Sequence, residues 1–104
     1  MGKKVIYIAG ATEGKQNQLD LESVEEEIIE HGFIPLSLTY LPDGLCDRKI
    51  AQLCTAMINS ADAVYLLNNW PSDKNATFAK RFCEFTEKLY SSKLNTLFTV
   101  LLER

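Results

Sequence analysis

The residues with the clearest potential for chemistry form the loop Gly10-Ala11-Thr12-Glu13-Gly14, which follows the apolar run Val5–Ala9. Glycine at both ends of a loop permits backbone conformations that other residues resist and lets a ligand approach the main chain. The exposed amides of such a turn can bind a phosphate group or a hydroxyl-rich ligand. Glu13 adds a carboxylate and is the candidate catalytic residue of this loop. The alternative is an ordinary turn between a strand and a helix.

A second polar loop, Asn68–Asp73, follows another apolar run, residues 62–67. It begins with Asn68, Asn69 and Trp70, and its last three residues, 71–73, supply a turn and helix caps. In open α/β sheets, ligands bind beyond the carboxyl ends of the strands. Both loops occupy such positions, so we expect them to face each other across one crevice. Trp70 can stack on a base there or pack as a hydrophobic lid, and the sequence leaves both alternatives open.

Several known site motifs are excluded by spacing. The first loop lacks the G-x-G-x-x-G spacing of dinucleotide-binding folds, and it is one residue short of a P-loop and ends at Gln16. The single histidine, His31, closes a helix, so no Ser-His-Asp arrangement fits. The three cysteines, which are Cys46, Cys54 and Cys83, contain no Cys-x-x-Cys pair. We therefore predict no metal site and no cofactor.

Size and composition indicate one globular domain, 1–104. A formal charge of −3 without a Lys/Arg stripe argues against a nucleic-acid partner. No apolar stretch approaches the roughly 20 residues that span a bilayer, and the first residues do not resemble a signal peptide, so we expect no membrane partner. Three widely spaced cysteines suggest reduced thiols and a cytoplasmic location.

Strands and helices are expected to alternate as β-α-β-α-β-α-β, which predicts right-handed parallel crossovers. The first helix is capped at Asn17 or Asp20, and Pro35 places the second strand at an edge. The most apolar strands are the first and third, which favours a sheet of order 2-1-3-4 with three main helices. The ligand crevice then lies at the switch point between strands one and three.

The last two helices and the last strand are predicted from apolar spacing. A helix starting at Asp47 buries a stripe at i, i+3, i+4, i+7 and i+8, which consists of Ile50, Leu53, Cys54, Met57, Ile58 and Ala61. The helix over residues 74–90 buries the stripe Phe78, Phe82, Phe85 and Leu89. Residues 95–102 form an apolar run that predicts the final strand.

Residues 7–10, 31–33 and 60–70 together resemble a family. Their order and spacing are similar to those of small bacterial and phage proteins related to nucleoside 2-deoxyribosyltransferases, over residues 4–90. The resemblance implies a flavodoxin-like three-layer sandwich, a nucleoside or nucleotide ligand at the switch point, and a homodimer. The predicted ligand-binding residues are Tyr7, Gly10, Ala11, Thr12, Asn68, Asn69, Trp70 and Asn75.

The chain departs from this family at the positions that carry catalysis. The resemblance implies a helix glutamate as nucleophile and a supporting aspartate, and a gapless continuation places Ala79 and Cys54 there. Alanine cannot attack a sugar carbon. The sequence therefore predicts a nucleoside- or nucleotide-binding domain without transferase activity. The alternatives are a protein-interaction or structural domain with a vestigial crevice, and an N-glycosyl-bond enzyme that uses another carboxylate such as Glu13.

Overall fold

The computed structural model describes residues 2–103 and contains a four-stranded parallel sheet with helices on both faces. The strands lie in the order β2-β1-β3-β4, which confirms the predicted order 2-1-3-4. Their bounds are Val5–Ala9 for β1, Ile34–Leu36 for β2, Ala63–Leu66 for β3 and Tyr90–Ser91 for β4. Tyr7 of β1 is in register with Leu36 of β2 and Val64 of β3, so β1 and β3 form the centre of the sheet.

Four helices connect and follow the strands, where the sequence predicted three. Their bounds are Lys15–Glu30 for α1, Asp47–Ser60 for α2, Lys74–Thr86 for α3 and Leu94–Glu103 for α4. The α1 helix begins after Gly14, before both predicted caps. The predicted strand over residues 95–102 is wrong, because this segment is α4 and the fourth strand is β4. The buried side chains of α4 have helical spacing and are Leu94, Leu97, Phe98 and Leu101.

The predicted buried face of α3 is also wrong. Small side chains face the sheet, namely Ala76, Ala79 and Cys83, whereas Phe85 is 89% exposed. The predicted stripe of phenylalanines and the observed stripe of small residues both have helical spacing. The stripe of small residues lets the helix lie close to β1 and β3. The helix ends at Thr86, and Glu87 follows in the left-handed region at φ 59. In α2, Cys54, Ile58 and Ala61 are buried as predicted, but Leu53 is 38% exposed.

Two hydrophobic cores lie on opposite faces of the sheet, and the alternation of β1 assigns its side chains to them. Ile6 and Ile8 pack on the face covered by α1 and α4, which we call the α1/α4 face. Tyr7 and Ala9 pack on the other, the α2/α3 face. The three-layer α/β sandwich is thereby confirmed. Among residues 2–103, no helix has the length and apolar character needed to cross a membrane.

Candidate functional site

A cleft of about 630 Å³ lies at the carboxyl end of β1. Residues 7–9 of β1 form its base, and three further segments form its walls: residues 10–13, residues 38–45 except Tyr40, and residues 72–76 except Lys74. This volume lies within the range of about 300–1,000 Å³ that small-molecule pockets usually have. The cleft is therefore the candidate binding site, and it lies at the predicted edge of the sheet.

The first wall is the β1–α1 loop, whose path depends on Gly10. A Cβ atom at position 10 would lie 2.6 Å from Cβ of Leu67 and 2.7 Å from Oδ1 of Asn69, so a side chain does not fit. Oδ1 of Asn69 accepts a hydrogen bond from the Ala11 N–H at 2.9 Å, and its Nδ2 donates to the Ala11 carbonyl at 3.0 Å. The loop is thus held against the segment that follows β3.

The base of the cleft contains a buried phenol, that of Tyr7, whose partner is the buried thiol of Cys54. The Tyr7 hydroxyl and the Cys54 thiol form a hydrogen bond of 3.3 Å, and Tyr7 is only 1% exposed. Burial is the main cause that raises the pKa of Tyr7, followed by the nearby Cys54 and Asp73. Burial also raises the pKa of Cys54. Both groups therefore keep their protons at neutral pH, and neither is an activated nucleophile.

Asp73 ends the second polar loop and is a carboxylate of the cleft. Its Oδ2 accepts a hydrogen bond of 2.8 Å from the Ala76 N–H, so it caps α3 as predicted. It also lines the cleft and is half-buried. The signal was available, because a cap that begins the helix after β3 must lie at the carboxyl edge of the sheet.

The lining of the cleft carries negative charge. Three carboxylates line it, which are those of Glu13, Asp43 and Asp73. No lysine, arginine or histidine is among the described residues that line the cleft. In the described part of the chain, no group of three or more His, Cys, Asp or Glu side chains is arranged to hold a metal ion.

The predicted ligand-binding residues divide into two groups. Five line the cleft, namely Tyr7, Gly10, Ala11, Thr12 and Asn75, and the candidate Glu13 lies there too, as an exposed side chain. The predicted crevice is formed by both polar loops only in part: residues 10–13 and, from the second loop, Ser72 and Asp73 line the cleft, and residues 38, 39 and 41–45 add a wall that the sequence did not predict. Ligand contact by the five lining residues stays a prediction.

The other three predicted residues lie outside the cleft. Asn68 and Asn69 line a smaller pocket of about 290 Å³ beside α1. Trp70 packs against the core of the α2/α3 face, and Nζ of Lys80 lies 5.5 Å from its ring centroid. The structure therefore favours packing over base stacking for Trp70. These residues follow β3 as predicted, but none of the three is part of the cleft lining.

The two positions that the resemblance assigns to catalysis are fully buried. Ala79 and Cys54 have no exposed surface, and both belong to the core of the α2/α3 face. Ala79 is not part of the cleft lining, which reaches only as far as Ala76 on this helix. An alanine at position 79 thus fills a packing role between α3 and the sheet.

The comparisons with known proteins agree with the fold. The structure is similar to a 2-desoxiribosyltransferase from Leishmania mexicana, with a TM-score of 0.66 and 20% sequence identity. The match covers 84% of this chain and 61% of that one, so this chain spans about three fifths of that protein's length. No curated protein matches the sequence. Residues 4–89 match the family described as Domain of unknown function (DUF4406), and the chain belongs to this family.

Proposed function

We propose that the cleft binds an uncharged nucleoside-type ligand and that the chain does not transfer the sugar of that ligand. The observation that carries this proposal is the cleft itself, about 630 Å³ in volume, between residues 10–13 and residues 72–76. It combines backbone groups, the amide of Asn75 and carboxylates with an apolar base. Such a lining suits a ligand with several hydroxyl and amine groups on an apolar ring.

Charge favours a nucleoside over a nucleotide. Glu13, Asp43 and Asp73 line the cleft, with no cation among the described lining residues. Two like charges about 6 Å apart repel each other by roughly 3 kcal/mol at the effective dielectric constant of a protein surface. Carboxylates accept hydrogen bonds well from neutral sugar hydroxyls, whereas they repel a phosphate group.

The lack of sugar transfer follows from the placement of the carboxylates. Transfer needs a carboxylate aimed at the anomeric carbon, where it attacks the sugar or stabilises its positive charge. Ala79 supplies none, and one carboxylate oxygen of Asp73 is already bound to the Ala76 N–H. The Glu13 side chain is exposed to solvent at the other wall.

A second candidate function is supported by one observation: Asp73 and Glu13 both line the cleft. An N-glycosyl-bond enzyme could use either of them in place of the carboxylate that position 79 lacks.

The decisive assay incubates the protein with each deoxynucleoside and a free acceptor base. We expect neither base exchange nor released base. Turnover that disappears in Asp73→Asn or Glu13→Gln identifies the carboxylate and contradicts the binding-only proposal.

Binding is tested with adenosine, deoxyadenosine, guanosine, cytidine and thymidine, each compared with its 5′-monophosphate. A ligand at 100 times its dissociation constant stabilises the protein by about 2.7 kcal/mol, which thermal unfolding detects. We expect at least one nucleoside to bind at least tenfold more tightly than its monophosphate. Asp73→Asn is the matched variant, because asparagine also caps helices well but carries no charge.

Asp73→Asn should narrow the difference in affinity between a nucleoside and its monophosphate, because it removes one of the three carboxylate charges that repel the phosphate. If no compound stabilises the protein, the nucleoside proposal fails and an interaction or structural role takes its place. Tighter binding of the monophosphates would contradict the charge argument.

We also propose a homodimer, since the exposed phenylalanines of α3 can contact a second subunit, and sedimentation tests this.

A further inference from the structure

We propose that Asn69 is a positioning residue: its side chain holds the β1–α1 loop in the shape that binds the ligand, without contacting the ligand itself. The role in binding rests on the proposed function, whereas the role in holding the loop does not. Asn69 lies on the connection between β3 and α3, directly before the turn Trp70–Ser72.

Three hydrogen bonds use the Asn69 side-chain amide. Oδ1 accepts from the Ala11 N–H at 2.9 Å, and Nδ2 donates to the Ala11 carbonyl at 3.0 Å. Nδ2 also donates to Oδ1 of Asn17, at 2.9 Å, in the first turn of α1. This pattern needs one acceptor and two donors on one short side chain, and only a side-chain amide supplies the acceptor together with two donors.

The backbone of Asn69 fixes the other wall of the cleft. Its carbonyl accepts from the Ser72 N–H at 3.1 Å and from the Ser72 hydroxyl at 2.8 Å. The Asp73 N–H then donates to the Trp70 carbonyl at 3.1 Å. Ser72 and Asp73 line the cleft, as does Ala11. One residue thus sets the position of residues 10–13 relative to the start of α3.

The Asn69 side chain holds the β1–α1 loop from the side of the loop that does not line the cleft. It is half-buried and is not part of the cleft lining. A Cβ atom on Gly10 would lie 2.7 Å from Oδ1 of Asn69, so the Gly10 backbone and the amide are in close contact. A ligand in the cleft contacts the loop, and the Asn69 side chain supports that loop. A loop that is fixed before binding costs the ligand less ordering entropy.

Three substitutions separate the hydrogen bonds. Asn69→Ala removes all three. Asn17→Ala removes the bond from Asn69 and also the bond of 2.8 Å from Asn17 Nδ2 to the Glu13 carbonyl, but it leaves both Ala11 bonds in place, so it is the comparison variant for the Ala11 bonds. Asn69→Asp keeps the acceptor for the Ala11 N–H but, when ionised, places a carboxylate oxygen against the Ala11 carbonyl. Protonation of that carboxyl restores one donor. The effect of Asn69→Asp therefore depends on pH, whereas the wild-type amide does not titrate.

The experiment uses the full chain and two measurements. The first is the hydrogen-exchange rate of the Ala11 amide in the free protein, by NMR. The second is the dissociation constant of adenosine, or of whichever nucleoside named above binds. We expect Asn69→Ala to speed Ala11 exchange at least tenfold and to weaken nucleoside binding about tenfold, as loss of net hydrogen bonds predicts. Asn17→Ala should speed Ala11 exchange by less than threefold, because both bonds between Asn69 and Ala11 remain.

The Asn69→Asp variant distinguishes positioning from a general loss of stability. We expect its nucleoside affinity at pH 4.5 to recover at least threefold relative to pH 7, measured against the wild type at each pH. A loss of stability alone would lower the melting temperature without this pH-dependent affinity. Near-UV circular dichroism confirms that each variant is folded, and Asn69→Asp and Asn17→Ala carry the test if Asn69→Ala does not fold.

Two results overturn the proposal. One is an Ala11 amide that stays protected in folded Asn69→Ala or ionised Asn69→Asp, since the side chain then does not hold the loop. The other is fast Ala11 exchange with wild-type nucleoside affinity, since the loop then needs no support. A wild-type protein that binds no nucleoside overturns the proposed function alone, and the exchange rates still decide whether Asn69 holds the loop.

Discussion

The two faces of the sheet are built from different kinds of residue. The α1/α4 face is filled with large aliphatic and aromatic side chains, among them Ile28, Leu97 and Phe98. The α2/α3 face also buries aliphatic side chains, those of Ile58, Val64 and Leu66, but most of its core consists of four alanines, two cysteines and one phenol. The cleft borders the second face, because Tyr7, Ala9 and Ala76 belong both to its core and to the cleft lining.

This difference assigns stability mainly to the α1/α4 face and ligand binding to the α2/α3 face. Large apolar side chains gain about 25 cal/mol per Å² that they remove from water, so the α1/α4 face contributes most per residue. Small residues on α3 contribute less, but they let the helix approach β1 and β3 and place Asp73 at the carboxyl edge of the sheet. We therefore expect substitutions on the first face to change folding and substitutions on the second to change folding and binding together.

The largest effect is expected from Leu97→Ala on the α1/α4 face. Leu97 is fully buried, and truncating a buried leucine costs about 2–5 kcal/mol, so we expect a loss of about 3 kcal/mol by urea unfolding. The matched control is Leu102→Ala on the same helix, whose side chain is 70% exposed and whose loss should cost less than about 0.5 kcal/mol. Nucleoside affinity at 15 °C should stay unchanged, and a shift of more than threefold in the folded variant would contradict the separation of the two faces.

Alkaline pH should weaken the α2/α3 face. Burial is the main cause that raises the pKa of the Cys83 thiol from 9.0 to about 11. Above pH 9 the unfolded chain releases this proton while the folded chain holds it, so stability is complete below pH 9 and falls as pH rises toward 11. The loss is about 2 kcal/mol by pH 11. The raised pKa values of Tyr7 and Cys54 act in the same direction.

Urea unfolding at pH 8, 9.5 and 11 measures this loss. Cys83→Ala should reduce the loss between pH 8 and 11 by about 2 kcal/mol, because it removes one of the three buried groups with raised pKa values. Cys46→Ala is the control, since Cys46 is exposed and its removal should leave the profile unchanged. If the wild type and Cys83→Ala lose the same stability between pH 8 and 11, the assigned role of the buried thiol is wrong.

The sequence predicted the sheet because strand signals are local. The apolar runs of β1 and β3 and the proline of β2 were enough for the order 2-1-3-4, which the structure confirms. Residues 95–102 were mispredicted because a short apolar run fits a strand or a buried helix equally well. Phe85 was expected in the core because hydrophobicity ranks phenylalanine above alanine, while close packing of α3 against the sheet requires the small residues.

The candidate site was predicted only in part, for a related reason. Residues 10–13 lie in the cleft because they follow a central strand, and this is a rule of topology. The wall formed by residues 38–45 depends on how the β2–α2 connection folds back, which no local pattern specifies. Asn69 was expected to contact the ligand, yet its amide is bound to Ala11 and Asn17, a contact between segments far apart in the chain.

A moderate effect is expected from Tyr7→Phe at the base of the cleft. The substitution removes the hydrogen bond to the Cys54 thiol but keeps the buried ring. We expect a loss of about 1 kcal/mol in urea unfolding at pH 7, which is the usual net value of such a bond. Because Tyr7 also lines the cleft, nucleoside affinity should fall at least threefold. Tyr90→Phe is the control. Tyr90 also packs against the core of the α2/α3 face, but it is not part of the cleft lining. Unchanged affinity in Tyr7→Phe would place the ligand away from β1.

The smallest effect is expected from Phe85→Ser on the outer side of α3. Phe85 is 89% exposed, so its removal should change the free energy of unfolding by less than about 0.5 kcal/mol at low protein concentration. The matched control is Phe82→Ser one turn earlier, because Phe82 is half-buried against the α2/α3 core and its loss should cost more. Sedimentation of the same proteins tests the homodimer. A dimeric wild type with a monomeric Phe85→Ser variant would place this ring in the subunit interface, and a monomeric wild type at high micromolar concentration would contradict the dimer.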